Sequence, residues 1–107
     1  MKKLIWIAFD LGIRGDYEGM YEFLDVHEAK ECGDSLAVLQ FDFKRDLLTE
    51  LEKDLSRLVE FDRKSRVYVV FPDNKGSYKG RFLVGRRKST PWTGYGKTGV
   101  PEEDSSE

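Results

Sequence analysis

Residues 3–10 constrain the fold of this chain most, because they read as a strand that is apolar on both faces. At a period of two, one face carries Ile5, Ile7 and Phe9 and the other carries Leu4, Trp6 and Ala8. A strand with two apolar faces is typical of the centre of a sheet that is covered, at least in part, on both sides. The sequence therefore predicts a fold built around a β-sheet, with this segment as a central strand.

Helix-like and strand-like segments alternate along the chain. An apolar stripe at helical spacing predicts a helix over 46–61, and a weaker stripe predicts one helix or two short ones over 17–32. The further predicted strands are 35–43, 66–72 and 80–86. Turn residues at 73–76 join the last two strands into a hairpin.

The predicted order β-α-β-α-β-β indicates an α/β (α+β) fold class, with a mixed four-stranded sheet, two main helices on one or both faces, and a C-terminal β-hairpin. Strands that are linked by helices are expected to be parallel. With 107 residues, the chain is expected to form one domain over 1–88. A Gly/Pro-rich loop and an acidic flexible tail are expected over 89–107.

The sequence contains neither a signal-peptide core nor an apolar run of about 20 residues that would span a membrane. Its one cysteine, Cys32, has no partner for an internal disulfide, and no Cys/His cluster suggests structural zinc. These features predict a cytoplasmic protein that does not act at a membrane. The one histidine, His27, lies in a charged helical segment and is expected at the surface.

Carboxylates follow three of the predicted strands, at Asp10, Asp42 and Asp73. If those strands are parallel, the three side chains lie near one edge of the sheet, where open α/β sheets bind ligands. Such carboxylates suit Mg²⁺, which prefers oxygen ligands, so Asp10 and Asp42 are candidate metal ligands and Asp10 a candidate catalytic residue. The alternative is that these residues cap helices or begin turns, as Asp commonly does.

Charge is segregated along the sequence. Residues 1–64 carry a net charge of −5, residues 65–100 a net +7 and residues 101–107 a net −4, which together give the formal net charge of −2. Basic residues with interleaved aromatic residues can hold phosphates and stack bases. The candidate nucleic-acid-binding residues are Lys79, Arg81, Arg86, Arg87, Lys88, Trp92 and Tyr95. The alternative is a solvated hairpin edge whose charges oppose aggregation.

The segment Ile7-Ala8-Phe9-Asp10-Leu11, at the end of the first strand in a chain of this size, resembles the start of the virulence-associated D toxins and the small CRISPR-adaptation ferredoxin-like proteins. The resemblance implies a ferredoxin-like fold, a homodimer and, for some members, metal-dependent ribonuclease activity with Asp10 as the strand-end aspartate. Those families carry a hairpin between the two helices, whereas this sequence predicts only the strand 35–43 there.

Two hypotheses of function follow. In the first, the protein is nucleic-acid-associated and binds RNA, either as a binding protein or as a Mg²⁺-dependent ribonuclease. In the second, it is a noncatalytic protein-interaction module that forms a homodimer. A small-molecule or nucleotide site at the carboxyl edge of the sheet is a third reading.

Overall fold

The computed structural model describes residues 1–97. Its elements in chain order are β1 (Lys2–Asp10), α1 (Tyr17–Val26), β2 (Lys30–Gly33), β3 (Leu36–Asp42), α2 (Leu47–Leu58), β4 (Arg66–Pro72) and β5 (Tyr78–Val84). The α+β class is confirmed. The predicted acidic tail at 101–107 lies outside the described residues.

The five strands form one sheet in the order β2-β3-β1-β4-β5, with β1 at its centre. Every neighbouring pair is antiparallel, so the expected mixed sheet of four strands with parallel neighbours is wrong. The reason is that the two strands joined by each helix are not neighbours in the sheet. The helix α1 leads from β1 to the edge strand β2, and α2 leads from β3 to β4 on the other side of the central strand. The predicted β4–β5 hairpin is confirmed.

The strand β2 was missed because it carries no strand-like pattern. Its residues are Lys-Glu-Cys-Gly and all four are exposed. The helix α1 ends at Val26, earlier than predicted, and Glu28 then adopts a positive φ of 54°. The chain therefore places a short hairpin, β2–β3, between the two helices.

Both helices lie against one face of the sheet. Ile5, Ile7 and Phe9 on β1 are buried in the same apolar cluster as residues of α1 and α2, including Met20 and Leu51. The opposite face of the sheet, here called the outer face, holds half-exposed side chains such as Trp6 and Ala8. The sequence left open whether the helices cover one face of the sheet or both, and the structure places them on one face.

The helices are held together by polar contacts as well as by the core. Asp16 caps α1 by accepting a hydrogen bond from the Gly19 amide over 2.9 Å, and its second oxygen accepts from the Glu60 amide over 2.8 Å. His27 is half-buried and not fully exposed as expected: its ring centre lies 4.3 Å from that of Phe23, and its Nε2 lies 3.5 Å from a carboxylate oxygen of Asp54 on α2. Within residues 1–97, no helix has the length and apolar character needed to cross a membrane.

Candidate nucleic-acid interface

The strand-end carboxylates do not meet at one edge of the sheet. Asp10 pairs with Arg66 at one end of β1, whereas Asp42 pairs with Lys2 at the other end. Nearly the whole length of β1 separates them, which is about 26 Å at the usual rise per strand residue. Asp10 and Asp42 therefore cannot share one ion, because an antiparallel sheet sends successive strand ends in opposite directions.

The other two carboxylates have local partners. Asp42 accepts a hydrogen bond from the N-terminal ammonium group over 3.2 Å. Asp73 organises the β4–β5 turn by accepting from the amides of Lys75 and Ser77 over 2.9 Å each. The reading of Asp73 as a turn residue is confirmed. No three His, Cys, Asp or Glu side chains within residues 1–97 come together as a metal site.

Asp10 instead lies in a cleft that is rich in cations, here called the basic cleft. This cleft has a volume of about 580 Å³ and lies where β1 ends, β4 begins and the chain leaves β5. Its cationic lining residues are Arg63, Lys64, Arg66, Arg86, Arg87 and Lys88. Asp10 is the one carboxylate among the described residues that line it, so the cleft attracts anions.

Two local structures bring these cations together. The Ser65 hydroxyl accepts from the Asp62 amide over 2.9 Å and donates to the Asp62 carboxylate over 3.1 Å, which fixes the turn that carries Arg63 and Lys64. After β5, Gly85 has a φ of +75° and runs so close to β4 that a Cβ would lie 2.5 Å from the Ser65 carbonyl oxygen. Glycine there lets residues 86–88 turn over the start of β4.

Arg66 connects the basic cleft to the outer face. Its Nη2 donates to Asp10 over 3.1 Å, while its Nε is buried without a hydrogen-bond partner among the described residues. A buried unpaired donor is costly. The hydrogen bonds from Arg66 and from the Gly12 amide, with the charge of Lys88, hold the pKa of Asp10 below its ordinary value. Asp10 is therefore ionised at neutral pH.

The predicted nucleic-acid-binding residues divide into two groups. Arg86, Arg87 and Lys88 lie together in the basic cleft. Lys79 lies towards the opposite end of β5, 3.8 Å from Asp73, and Arg81 lies beside the N-terminus of α2, where its charge contributes to the lowered pKa of Asp46 after the larger effect of the Thr49 hydrogen bonds.

The predicted stacking residues do not line the basic cleft. Trp92 and Tyr95 are 70% and 85% exposed, and a turn joins them through a hydrogen bond from the Tyr95 amide to the Trp92 carbonyl. The aromatic residue nearest the cleft cations is Phe82 of β5: the guanidinium of Arg87 lies 5.6 Å from its ring centre and that of Arg66 lies 6.0 Å away.

Sequence reasoning missed Arg63, Lys64 and Arg66 as partners of residues 86–88. The signal was present in the run Asp62-Arg63-Lys64-Ser65-Arg66, but the division of charge by sequence region placed Arg63 and Lys64 in the acidic part of the chain. Their proximity to Arg86 depends on the pairing of β4 with β5 and on the turn at Gly85.

A larger concavity, of about 1000 Å³, runs along α2 and the end of β3. Its charged lining residues are Asp42, Lys44, Glu50, Glu52, Lys53, Asp54 and Arg57. Acidic residues outnumber basic ones there, so this surface does not favour phosphate.

In the comparisons with known proteins, no family model, no curated protein and no solved structure matches this chain.

Proposed function

We propose that the protein binds RNA, with the phosphate backbone held in the basic cleft. The observation that carries the proposal is that six cationic side chains from separate parts of the chain line one cleft that contains a single carboxylate. Guanidinium groups suit phosphates because they donate two parallel hydrogen bonds. Since one cation neutralises about one phosphate, four of the six cations would suffice for four phosphates of a single strand. The cleft can therefore hold a short stretch of backbone.

The resemblance to small ferredoxin-like proteins supports this reading. The element order β-α-β-β-α-β, followed by an additional C-terminal strand, is compatible with the ferredoxin-like fold that the resemblance implies. The hairpin β2–β3 between the helices is the feature that those families carry. Asp10 at the end of β1 is the residue to which the resemblance assigns metal-dependent ribonuclease chemistry.

Binding is better supported than cleavage. The cleft offers a Mg²⁺ ion one carboxylate, and both of its oxygens already accept hydrogen bonds, from Gly12 and Arg66. Mg²⁺ at phosphate sites is commonly held by one or two carboxylates together with phosphate oxygens and water. RNA cleavage that requires Mg²⁺ and is lost in Asp10→Asn would assign Asp10 as a metal ligand and extend the proposal to a ribonuclease.

The test is RNA binding measured by fluorescence anisotropy between about 50 and 200 mM salt. For a single strand, the logarithm of the affinity is expected to fall with the logarithm of the salt concentration with a slope of about −0.7 per phosphate contacted, or about −3 for four contacts. The double variant Arg86→Ala/Arg87→Ala is expected to bind more weakly and to reduce the slope by about 1.4.

The matched control is Lys53→Ala/Arg57→Ala. It removes the same charge from α2, outside the basic cleft, and is expected to bind as the wild type does. Absence of binding at low salt, or an equal loss in the control, would reject the proposal.

A second candidate function is a noncatalytic homodimer formed through the outer face. The observation that favours it is the apolar surface left uncovered there, where Trp6 and Tyr78 pack edge to face at 5.6 Å and Tyr78 is 53% exposed. An exposed apolar patch of this kind commonly marks an interaction surface. Sedimentation at several protein concentrations tests it: a dimer that Tyr78→Glu dissociates supports the candidate, and a monomer at every concentration rejects it.

A further inference from the structure

A second concavity lies on the outer face, next to the basic cleft, and is here called the outer groove. It has a volume of about 550 Å³, and its lining includes Ala8, Leu36, Tyr68 and Phe82, the ion pair Asp10 and Arg66, and Cys32 and Gly33 of β2. Asp10 and Arg66 line the basic cleft as well. A single ion pair therefore separates a groove with apolar walls from a cleft with cationic walls.

The groove exists because a small side chain, that of Ala8, lies near the C-terminal end of the central strand. Ala8 is the register partner of Leu36 on one side and of Tyr68 on the other, and both neighbours are much larger. Tyr68 does not fill the gap, because its ring lies over Gly80 of β5: a Cβ on Gly80 would be 2.6 Å from the Tyr68 ring carbon Cζ. The space above Ala8 is left open between Leu36 and the aromatic pair.

The aromatic pair Tyr68 and Phe82 forms one wall of the groove. Tyr68 and Phe82 pack edge to face, with ring centres 4.8 Å apart. Arg66 and Arg87 lie against the Phe82 ring, so the ring and the cations of the cleft form one continuous surface. Flat, apolar walls beside phosphate-binding cations are the arrangement by which proteins hold an unstacked base next to its backbone.

We propose that the outer groove holds the base of an unpaired nucleotide whose phosphates lie in the basic cleft. The proposal rests on the proposed function and names its substrate class as single-stranded RNA. A base in a duplex is stacked and paired, so it cannot enter the groove without leaving the helix. Asp34 and Ser35 also line the groove, and a carboxylate and a hydroxyl are groups that can form hydrogen bonds with the edge of a base.

The experiment compares two probes of equal length and charge: a single-stranded RNA of about ten nucleotides and an abasic oligomer with the same phosphodiester backbone. The wild type is expected to bind the RNA about tenfold more tightly than the abasic oligomer, because stacking on aromatic side chains contributes on this scale. The variant Ala8→Leu fills the groove and leaves the cleft cations in place. It is expected to bind both probes with the affinity that the wild type has for the abasic oligomer.

The matched control is Gln40→Leu, which adds an apolar side chain to the same face of the sheet at an exposed position paired with Leu4. It is expected to retain the tenfold preference. Thermal unfolding of both variants checks that they fold, and the wild-type comparison of the two probes does not depend on either variant.

The outcomes separate the two proposals. If the wild type binds both probes equally, or if Ala8→Leu retains the preference, the base site is rejected while binding of the backbone in the cleft stands. If neither probe binds at low salt, the function itself is rejected and the base site with it. A preference that disappears only in Ala8→Leu supports both.

Discussion

The Arg66 guanidinium donates a hydrogen bond to the Asp10 carboxylate over 3.1 Å, and the two residues are direct register partners on β4 and β1. The pair is half-exposed on the Asp10 side, at 54%, and more covered on the Arg66 side, at 27%. Because of its position, it borders both the basic cleft and the outer groove. The charges of this pair would therefore affect phosphate binding at the proposed site.

We expect Asp10→Asn to increase RNA affinity about two- to fivefold in the absence of Mg²⁺. The substitution removes the one negative charge that faces the phosphates, and a charge–charge interaction near 4 Å in water amounts to about 1 kcal/mol. An asparagine oxygen still accepts from the Gly12 amide. Fluorescence anisotropy with the RNA probe measures the change.

Asp42→Asn is the matched control for this substitution, since it makes the same change of charge at the far end of β1. Its affinity for RNA is expected to equal that of the wild type within about twofold. Weaker RNA binding by Asp10→Asn than by Asp42→Asn would contradict the assignment of Asp10 to the border of a phosphate site.

Glu50 is expected to make stability depend on pH at the start of α2. Its carboxylate accepts hydrogen bonds from the amides of Arg45, Lys44 and Asp46, which lower its pKa from 4.5 to about 2. The unfolded chain binds the proton more readily, so this stabilisation is fully present above pH 4.5 and is lost as the pH falls through about 2.

Glu50→Gln is accordingly expected to be less stable than the wild type at neutral pH, with a difference that narrows as the pH falls below 4.5 and is nearly absent at about 2. Urea denaturation at several pH values measures it. The control is Glu52→Gln, two residues further along α2. Glu52 does not accept these hydrogen bonds, so the stability of this variant is expected to depend on pH as that of the wild type does. A pH-independent effect of Glu50→Gln would contradict the role of its charge.

Asp16→Ala is expected to reduce the free energy of unfolding, because loss of a helix N-cap is destabilising. The substitution removes the cap of α1 and also the hydrogen bond to the Glu60 amide beyond the end of α2. Asp16→Asn, which retains one acceptor oxygen for the cap, is expected to lose less. Equal stability of Asp16→Ala and the wild type in urea denaturation would show that water replaces both contacts at no cost.

Gly85→Ala is expected to destabilise the fold by about 1–3 kcal/mol, because it combines a positive φ with a collision against the Ser65 carbonyl oxygen and the Arg66 side chain. RNA affinity is expected to fall as well, since residues 86–88 follow this turn. Gly96→Ala is the control: a Cβ there has no neighbour within 4 Å. An unchanged Gly85→Ala variant would show that the close approach is not needed to assemble the basic cleft.

The parts of this fold that depend on local pattern were predictable from the sequence. The helix α2 follows from its leucine spacing, and β1 follows from its two apolar faces. The strand β2 was not predictable in this way, because pairing with β3, and not its own four exposed residues, makes it a strand. Strand direction was also missed, since a helical connection between neighbouring segments does not specify whether they pair.

The candidate site was also predictable only where it depends on residues that are adjacent in sequence. The cations at 86–88 are adjacent in sequence, so their clustering was visible, whereas their meeting with Arg63, Lys64 and Arg66 requires the β4–β5 pairing. The separation of Asp10 from Asp42 follows from antiparallel pairing. The gap above Ala8 depends on the direction in which Tyr68 leans, and no sequence pattern encodes that.

If the protein binds RNA as proposed, the cations that line the basic cleft also affect how the molecule and an RNA strand approach each other before any contact forms. Together with the adjoining pocket that contains Arg14, the basic cleft is lined by seven Lys and Arg residues and by two carboxylates, those of Asp10 and Asp62. The other described residues carry more Asp and Glu than Lys and Arg, so the remainder of the described chain is net negative. An approaching polyanion is attracted to one end and repelled by the remainder, so encounters are oriented, and the association rate is expected to fall steeply with ionic strength.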